Sequence, residues 1–295
     1  MVARLRTLSV FLMSLLTSVL LMPSASAADV AKVAILDSGV ALEAAVHYDA
    51  ITATDGTVDE FGHGTMVAGI LLDNLPNSLR IDYYDIKVLD GQGRGTAESI
   101  CNGLHSAGEF GVDIAVMSLG FYREPDNLRA CVDRALASGI TIIAAVGDNV
   151  GAHSNYPAAY PGVLAIAAHD QEGHLYSFSS LGKIDYAELG VDVVGREASG
   201  ATQLVSGSSF AAPRFAAKLL SHRNEGTAHW QNPAPYVNGE VSLPNGESVP
   251  TIDFAEPQRT RPHERSWLFS LSSTLSSLAE FLSTLTGTKL ASVYY

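Results

Sequence analysis

Three short motifs place catalytic residue types among small side chains. Asp37 ends an apolar run, His63 opens a stretch of small and apolar residues, and Ser209 lies at a glycine-containing turn. An acid, an imidazole and a hydroxyl are the groups from which nucleophilic catalysis is built. Each residue also has a purely structural explanation: Asp37 as a turn residue, His63 as one of nine histidines and Ser209 as a helix cap. The motifs are therefore candidates for one active site whose parts the fold must bring together.

The elements that must position these residues alternate between strands and helices. From residue 30 to about residue 220, short apolar runs alternate with helical patterns, which is typical of a parallel sheet with helices packed on its faces. Ser138 and Gly139 indicate a helix stop. The predicted strands are 33–36, 86–89, 114–117, 140–146 and 163–167, and the predicted helices are 66–72, 97–107 and 128–137.

The order Asp37, His63 and Ser209, together with the neighbours of each residue, resembles that of the subtilisin-like serine proteases. The resemblance covers about residues 30–220. It implies an α/β fold of three layers, in which a central parallel sheet is flanked by helices. The further segments that resemble the family are its substrate-binding strand at 116–120, its facing glycine-rich wall at 91–95, and the segments before the serine at 156–161 and 178–182.

The resemblance assigns a role to each candidate residue. Asp37, His63 and Ser209 are expected to form the triad of a serine endopeptidase, because a serine hydroxyl needs a base to accept its proton and that base needs an orienting acid. An extended polypeptide substrate is expected to pair its main chain with two segments of the protein, in a form of strand addition. The substrate-binding residues that the resemblance implies are Gly93, Arg94, Gly95, Ser118, Leu119 and Gly120.

The sequence departs from the family pattern at the oxyanion site. In the family a Gly-Asn pair follows the strand that corresponds to residues 142–146, and the Asn side chain donates to the oxyanion. Here the pair is Gly147-Asp148, with Asn149 one position later. Asp148 and Ser209 are thus the expected oxyanion residues, although an ionised Asp148 repels the developing charge. A catalytically impaired subtilisin-like protein that binds extended polypeptide is therefore the alternative function.

Residues 1–27 are predicted to be a cleavable secretory signal. Two arginines precede the apolar run 8–22, and the small residues 25–27 form a cleavage site. An uncleaved membrane anchor is the alternative, and it is disfavoured because the run is short for a membrane span. The protein is accordingly expected to be secreted or periplasmic, with no membrane span in the mature chain. There Cys101 and Cys131 can pair, and two buried free thiols are the alternative.

Composition restricts the partners and cofactors. The net charge is −13, and removal of residues 1–27 brings it to about −15, which excludes nucleic acid as a partner drawn by long-range attraction. No cofactor and no metal ligands are predicted. Calcium at Asp55, Asp59 and Glu60 is the alternative to a solvated acidic loop, which we favour. Because secreted family members usually carry a prodomain and Asp37 lies nine positions after Ala28, a helper or inhibitor protein is an expected partner.

The chain changes character after the predicted catalytic domain, residues 28–222. Residues 223–264 are rich in Pro and polar side chains and are predicted to be a linker or extended segment. Residues 265–295 are predicted to form an amphipathic helix, which docks on the catalytic domain, pairs with another helix, or lies on a membrane. The membrane is disfavoured because the polar face has few basic residues. The leucines of its apolar face recur at spacings of three and four: Leu268, Leu271, Leu275, Leu278, Leu282 and Leu285.

Overall fold

A computed structural model describes residues 30–150 and 152–224, together with three short strand segments nearer the end of the sequence. The strands are β1 (Ala31–Asp37), β2 (Val46–Asp49), β3 (Thr54–Asp55), β4 (Ile81–Lys87), β5 (Arg94–Thr96), β6 (Ile114–Met117), β7 (Thr141–Ala145), β8 (Leu164–His169), β9 (Tyr186–Leu189), β10 (Val193–Arg196), β11 (Thr202–Val205), β12 (Val241–Ser242), β13 (Ser248–Val249) and β14 (Leu290–Ser292). The helices are α1 (His63–Asp73), α2 (Ala97–Glu109), α3 (Leu128–Ala137) and α4 (Ser208–Asn224).

Eight strands form one central sheet in the order β3-β2-β4-β1-β6-β7-β8-β9. Every neighbouring pair is parallel except β2 with β3. Helix α1 packs with α4, and α2 packs with α3, so that two helix pairs flank the sheet. The predicted α/β architecture with a flanked parallel sheet is confirmed. Across residues 30–150 and 152–224, none of the helices combines the length and apolar character needed to cross a membrane.

The central strands of this sheet are buried on both faces. Strand β6 is buried along its whole length, as are four of the five residues of β7. Parallel strands covered by helices require such uninterrupted apolar runs, which explains why the sequence predicts them correctly. Gly139, two positions beyond the end of α3, has a φ of +95°. Its N–H donates to the carbonyl of Leu136, and the N–H of Ile140 donates to the carbonyl of Ala135. The predicted helix stop is thus present.

Strand β4 differs from the sequence-based prediction. The predicted strand at residues 86–89 follows the apolar run, whereas β4 spans Ile81–Lys87 and includes two buried charged side chains, Asp85 and Lys87. Burial raises the pKa of Asp85, and hydrogen bonds from Thr57 and His47 oppose that rise. Hydropathy cannot anticipate a buried acid whose partners come from other segments of the chain.

A disulfide joins Cys101 on α2 to Cys131 on α3, with the two Cα atoms 5.4 Å apart. These two helices pack side by side, so the disulfide links the two members of one of the helix pairs that flank the sheet. The sequence analysis left two free thiols as the alternative, and the structure shows that Cys101 and Cys131 form a disulfide.

The remaining strands form three two-stranded ladders, β10 with β11, β12 with β13, and β14 with β5. The predicted signal, residues 1–27, and the leucines at 268–285 lie outside the described residues. Of the predicted linker, the pair β12 and β13 is described. Residues Leu290–Ser292 fall inside the predicted helix 265–295, yet they form strand β14. The edge of β5 accounts for this difference, because it supplies backbone hydrogen-bonding groups that stabilise an extended segment.

Candidate active site

Asp37 and His63 meet where β1 ends and α1 begins. His63 Nδ1 and Asp37 Oδ1 are 2.8 Å apart, and both side chains are buried. The same carboxylate oxygen accepts the backbone N–H of Ser38 at 2.8 Å. Because the Asp37 carboxylate accepts a hydrogen bond from Nδ1, neutral His63 carries its ring proton on Nδ1. Nε2 is then the basic nitrogen.

Gly64 permits this close approach of α1 to the end of β1. A Cβ at Gly64 would lie 2.1 Å from the carbonyl oxygen of Gly39 and 3.1 Å from Cβ of Asp37. The N–H of Gly64 donates to Ser38 Oγ at 3.0 Å. The His-Gly pair in the second motif is therefore a packing requirement, because any side chain at this position pushes His63 away from Asp37.

Asp59 anchors the start of α1. Its carboxylate accepts the N–H of Gly62 at 2.8 Å, the N–H of Thr65 at 2.9 Å and the hydroxyl of Ser38 at 2.8 Å. The sequence analysis favours a solvated acidic loop here, but partly buried Asp59 supplies the acceptor that the first turn of α1 needs. Glu60, which is exposed, binds Lys87, and the hydrogen bond from Lys87 is the main cause that holds the pKa of Glu60 below its usual range.

Lys87 is a site residue that the sequence analysis missed. Its ammonium donates to the carbonyl of Ser38 at 2.5 Å, to the carbonyl of Val58 at 2.9 Å and to Glu60 at 2.9 Å. These bonds tie β4 to the loop that follows Asp37 and to the loop before α1. A lone Lys inside the apolar run 86–89 was the available signal.

Ser209 lies in the first turn of α4 and is buried. The ring of the next residue, Phe210, lies 5.5 Å from the ring of His63. Ser209 Oγ donates to the carbonyl of Ser118 at 3.3 Å, and Ser118 Oγ donates to the carbonyl of Ser209 at 2.6 Å. The fold thus brings all three motif residues and the start of residues 118–120 to one end of the sheet.

The two predicted substrate-binding segments differ in exposure. Residues 118–120 are buried, backbone included, whereas Arg94 is exposed. The Arg94 side chain turns away to Asp90, at 3.0 Å, and Gln92, at 2.7 Å. The backbone of β5 is paired with β14 of the same chain.

Asp148 follows β7 and faces the turn that carries Ser209. Its two oxygens lie 3.1 and 2.9 Å from the backbone nitrogen of Ser208, which donates to them. Gly207 has a φ of +146°, and a Cβ there would lie 2.6 Å from Asp148 Oδ2. Burial raises the pKa of Asp148 to about 7, against the lowering effect of the hydrogen bonds from Ser208. Both protonation states of Asp148 are therefore accessible near neutral pH.

Tyr176 belongs to the same environment, although nothing in the sequence marks it. Burial, followed by the charges of Asp148 and Asp192, raises the pKa of Tyr176 to about 12.

Asn149, one position beyond Asp148, directs its amide to Asn155 Oδ1 at 3.3 Å. Asp148, rather than Asn149, is therefore the side chain beside the nucleophile turn.

One group of three possible metal ligands lies elsewhere on the described part of the chain, at Asp170, Glu172 and His174. Glu172 and His174 are exposed. The Asp170 carboxylate already accepts the backbone N–H groups of both of these residues, at 3.0 and 2.8 Å. This cluster is explained as a turn that its own acid stabilises.

Comparisons with known proteins show the family and the fold to which the chain is similar. The model of the subtilase family matches residues 29–232. The thermostable alkaline protease of Halalkalibacterium halodurans is 34% identical over 72% of this chain and 66% of its own length, and subtilisin DY of Bacillus licheniformis is 35% identical over 63% of this chain and 73% of its own. A cold adapted subtilisin-like serine proteinase has a similar fold, with a TM-score of 0.59 and 24% identity over 66% of this chain and 76% of that one. Since the family match spans more than half of its length, the chain belongs to the subtilase family.

Proposed function

We propose that this protein is a serine endopeptidase that hydrolyses peptide bonds through an acyl-enzyme. The observation that carries the proposal is the 2.8 Å contact between His63 Nδ1 and Asp37 Oδ1, buried beside the turn that bears Ser209. Membership of the subtilase family and the similarity to an alkaline protease support the same chemistry.

The proposed reaction proceeds in two steps, acylation of Ser209 and hydrolysis of the acyl-enzyme. Ser209 Oγ attacks the scissile carbonyl carbon while His63 Nε2 takes the hydroxyl proton, and the same proton then passes to the leaving amine as the C–N bond breaks. Water attacks the resulting ester in the same way and restores Ser209. Asp37 keeps the ring oriented and stabilises the positive charge that His63 acquires.

Substrate is proposed to bind as an extended strand. In this proposal the main chain of a polypeptide pairs with the backbone of residues 118–120 and of residues 93–95, which favours recognition of backbone over side chains. The backbone N–H of Ser209 supplies one oxyanion donor. Asp148 supplies a second donor only when it carries a proton, because a carboxylate has none to give.

We also propose that the protein acts outside the cytoplasm, either secreted or in the periplasm. The support is the signal-like sequence of residues 1–27 and the Cys101–Cys131 disulfide, since disulfides persist mainly in oxidising compartments.

The test is covalent labelling of Ser209 by a serine-phosphonylating reagent, followed by hydrolysis of an unstructured protein substrate. Ser209→Ala is expected to abolish both signals. Ser208→Ala is the matched control and is expected to retain most of the activity, because Ser208 Oγ has a supporting role in the turn: it accepts the N–H of Gly147 at 3.1 Å and hydrogen-bonds the Asp148 carboxyl group. A dead Ser208→Ala variant beside an active Ser209→Ala variant would overturn the assignment of the nucleophile.

One observation favours a second candidate function, a catalytically impaired protein that binds extended polypeptide. Asp148 places a carboxylate, rather than an amide donor, beside Ser208. The two functions differ in turnover: a binding protein captures peptide with equal affinity in the wild type and in Ser209→Ala, and releases it uncut from both.

A further inference from the structure

Strand β14 lies on the edge of β5, one of the two segments to which substrate is proposed to bind. The pairing is antiparallel, with Leu290 opposite Thr96, Ala291 opposite Gly95 and Ser292 opposite Arg94. A peptide that adds to a strand edge uses the same backbone groups for affinity. Strand β14 and a substrate therefore compete for one edge.

The direction of β14 leads its chain towards the catalytic residues. Along β14 the partner changes from Thr96 to Arg94, so its carboxyl end is directed towards Gly93. Gly93 packs against the ring of Phe61, since a Cβ there would lie 2.5 Å from that ring. The ring of Phe61 in turn lies 6.4 Å from the ring of His63. The end of β5 that β14 approaches is thus the end nearest the triad.

We infer that residues 290–292 are a built-in competitor of substrate, which occupies the β5 edge and must leave before an extended polypeptide can bind there. The expected consequence, slower proteolysis, rests on the proposed function. The competition for the β5 edge is a binding event and can be measured without catalysis. Because β14 belongs to the same chain, its local concentration at β5 exceeds that of a dilute substrate. If the edge is open in only about a tenth of the molecules, the apparent affinity for substrate falls by about tenfold.

The test uses the full chain with single proline substitutions. Successive residues of an antiparallel strand alternate between hydrogen-bonded and non-hydrogen-bonded positions, so either Ala291→Pro or Ser292→Pro removes an N–H from the ladder. Ala291→Val is the matched control, because it changes the same side chain and keeps both the N–H and the preference for strand. Each variant is made with Ser209 intact and also as Ser209→Ala.

Two readouts separate the competition from the catalysis. The first is the Kd of a fluorescent synthetic peptide with the sequence of residues 286–295 for the Ser209→Ala proteins. The second, with Ser209 intact, is the KM and kcat for an extended peptide substrate, together with the rate of phosphonylation by a small reagent that needs no strand pairing.

The expected result is that at least one proline variant binds the fluorescent peptide about tenfold more tightly than the wild type and than Ala291→Val. The same variant is expected to have a KM about tenfold lower, with kcat and phosphonylation unchanged. Equal peptide affinity in the wild type, both proline variants and Ala291→Val overturns the inference. In that case, labelling of Ser209 in the proteins that retain it would still support the proposed protease. Tighter peptide binding by a proline variant in a protein that is never labelled and never cleaves upholds the competition and refutes the protease.

Discussion

Ser118 donates its hydroxyl proton to the backbone carbonyl of Ser209, at 2.6 Å. In a regular helix that carbonyl would accept the N–H of the residue four positions later, which is Pro213 and has no N–H. A proline in α4 thus leaves a buried acceptor at the nucleophile, and the residue at the start of the segment 118–120 satisfies it. The bond couples the position of Ser209 to one of the proposed substrate-binding segments.

Ser118→Ala is expected to lower kcat about tenfold or more and the free energy of unfolding by about 1–3 kcal/mol, because it leaves the buried Ser209 carbonyl without this donor. Peptide kinetics and urea denaturation check the two effects. Ser138→Ala is the matched control, since it removes a hydroxyl-to-carbonyl bond of 2.8 Å at an exposed helix end. A normal kcat in Ser118→Ala would show that the bond does not position the nucleophile.

Gly64→Ala is expected to reduce kcat/KM by about 100-fold or more. The added methyl group would lie 2.1 Å from the Gly39 carbonyl, so α1 must retreat and carry His63 away from Asp37, and small misplacements of catalytic groups cost this much. Gly108→Ala in α2 is the control, because its Cβ meets nothing within 4 Å, and we expect normal activity. Steady-state kinetics measure both, and equal activity of the two variants would contradict the proposed packing.

Asp148→Asn is expected to increase turnover at pH 8 more than at pH 5. With a pKa of about 7, Asp148 loses the proton that it would donate to the oxyanion as the pH rises, whereas Asn donates at every pH. The loss of one oxyanion donor costs about 10²–10³ in rate, a magnitude known for subtilisin itself. We expect the ratio of variant to wild-type kcat to rise about tenfold between these pH values. A ratio independent of pH would remove Asp148 from the oxyanion site.

The same pKa makes stability depend on pH. The folded state raises the pKa of Asp148 from 3.8 to about 7, so its contribution to stability is complete below about pH 4 and is lost as the pH rises through 7. The lost contribution is about 4 kcal/mol at most. Urea denaturation at pH 4, 6 and 8 is therefore expected to show Asp148→Asn gaining stability relative to the wild type as the pH increases. Asp133→Asn, at an exposed position on α3, is expected to show no such trend.

Removal of the Cys101–Cys131 disulfide is expected to lower the free energy of unfolding by about 3–4 kcal/mol, because the bond closes a loop across a sequence separation of 30. The double variant Cys101→Ala/Cys131→Ala and the reduced wild type are expected to unfold at the same, lower urea concentration. Peptide kinetics in the native state are expected to be unchanged, since α2 and α3 carry none of the proposed triad. A reductant that leaves the wild-type transition unmoved would contradict the pairing.

The central strands and the helices that cover them could be predicted because their burial is uniform. Where both faces of a strand are covered, as in β6 and β7, the apolar run and the element coincide. The predicted bounds of strand β4 were wrong because Asp85 and Lys87 are buried with partners that come from distant parts of the sequence. A charge is stable in such a place only through contacts that no local pattern records.

The sequence by itself determined the α/β class and the identity of Asp37, His63 and Ser209 as candidates, because motifs of small residues around reactive side chains are local information. Only the tertiary structure decided that His63 meets Asp37 at 2.8 Å and that Cys101 bonds to Cys131. It also placed residues 290–292, far along the chain, on the edge of β5. Each of these relationships joins segments that are distant in sequence, and their meeting depends on how the whole sheet and its helices pack.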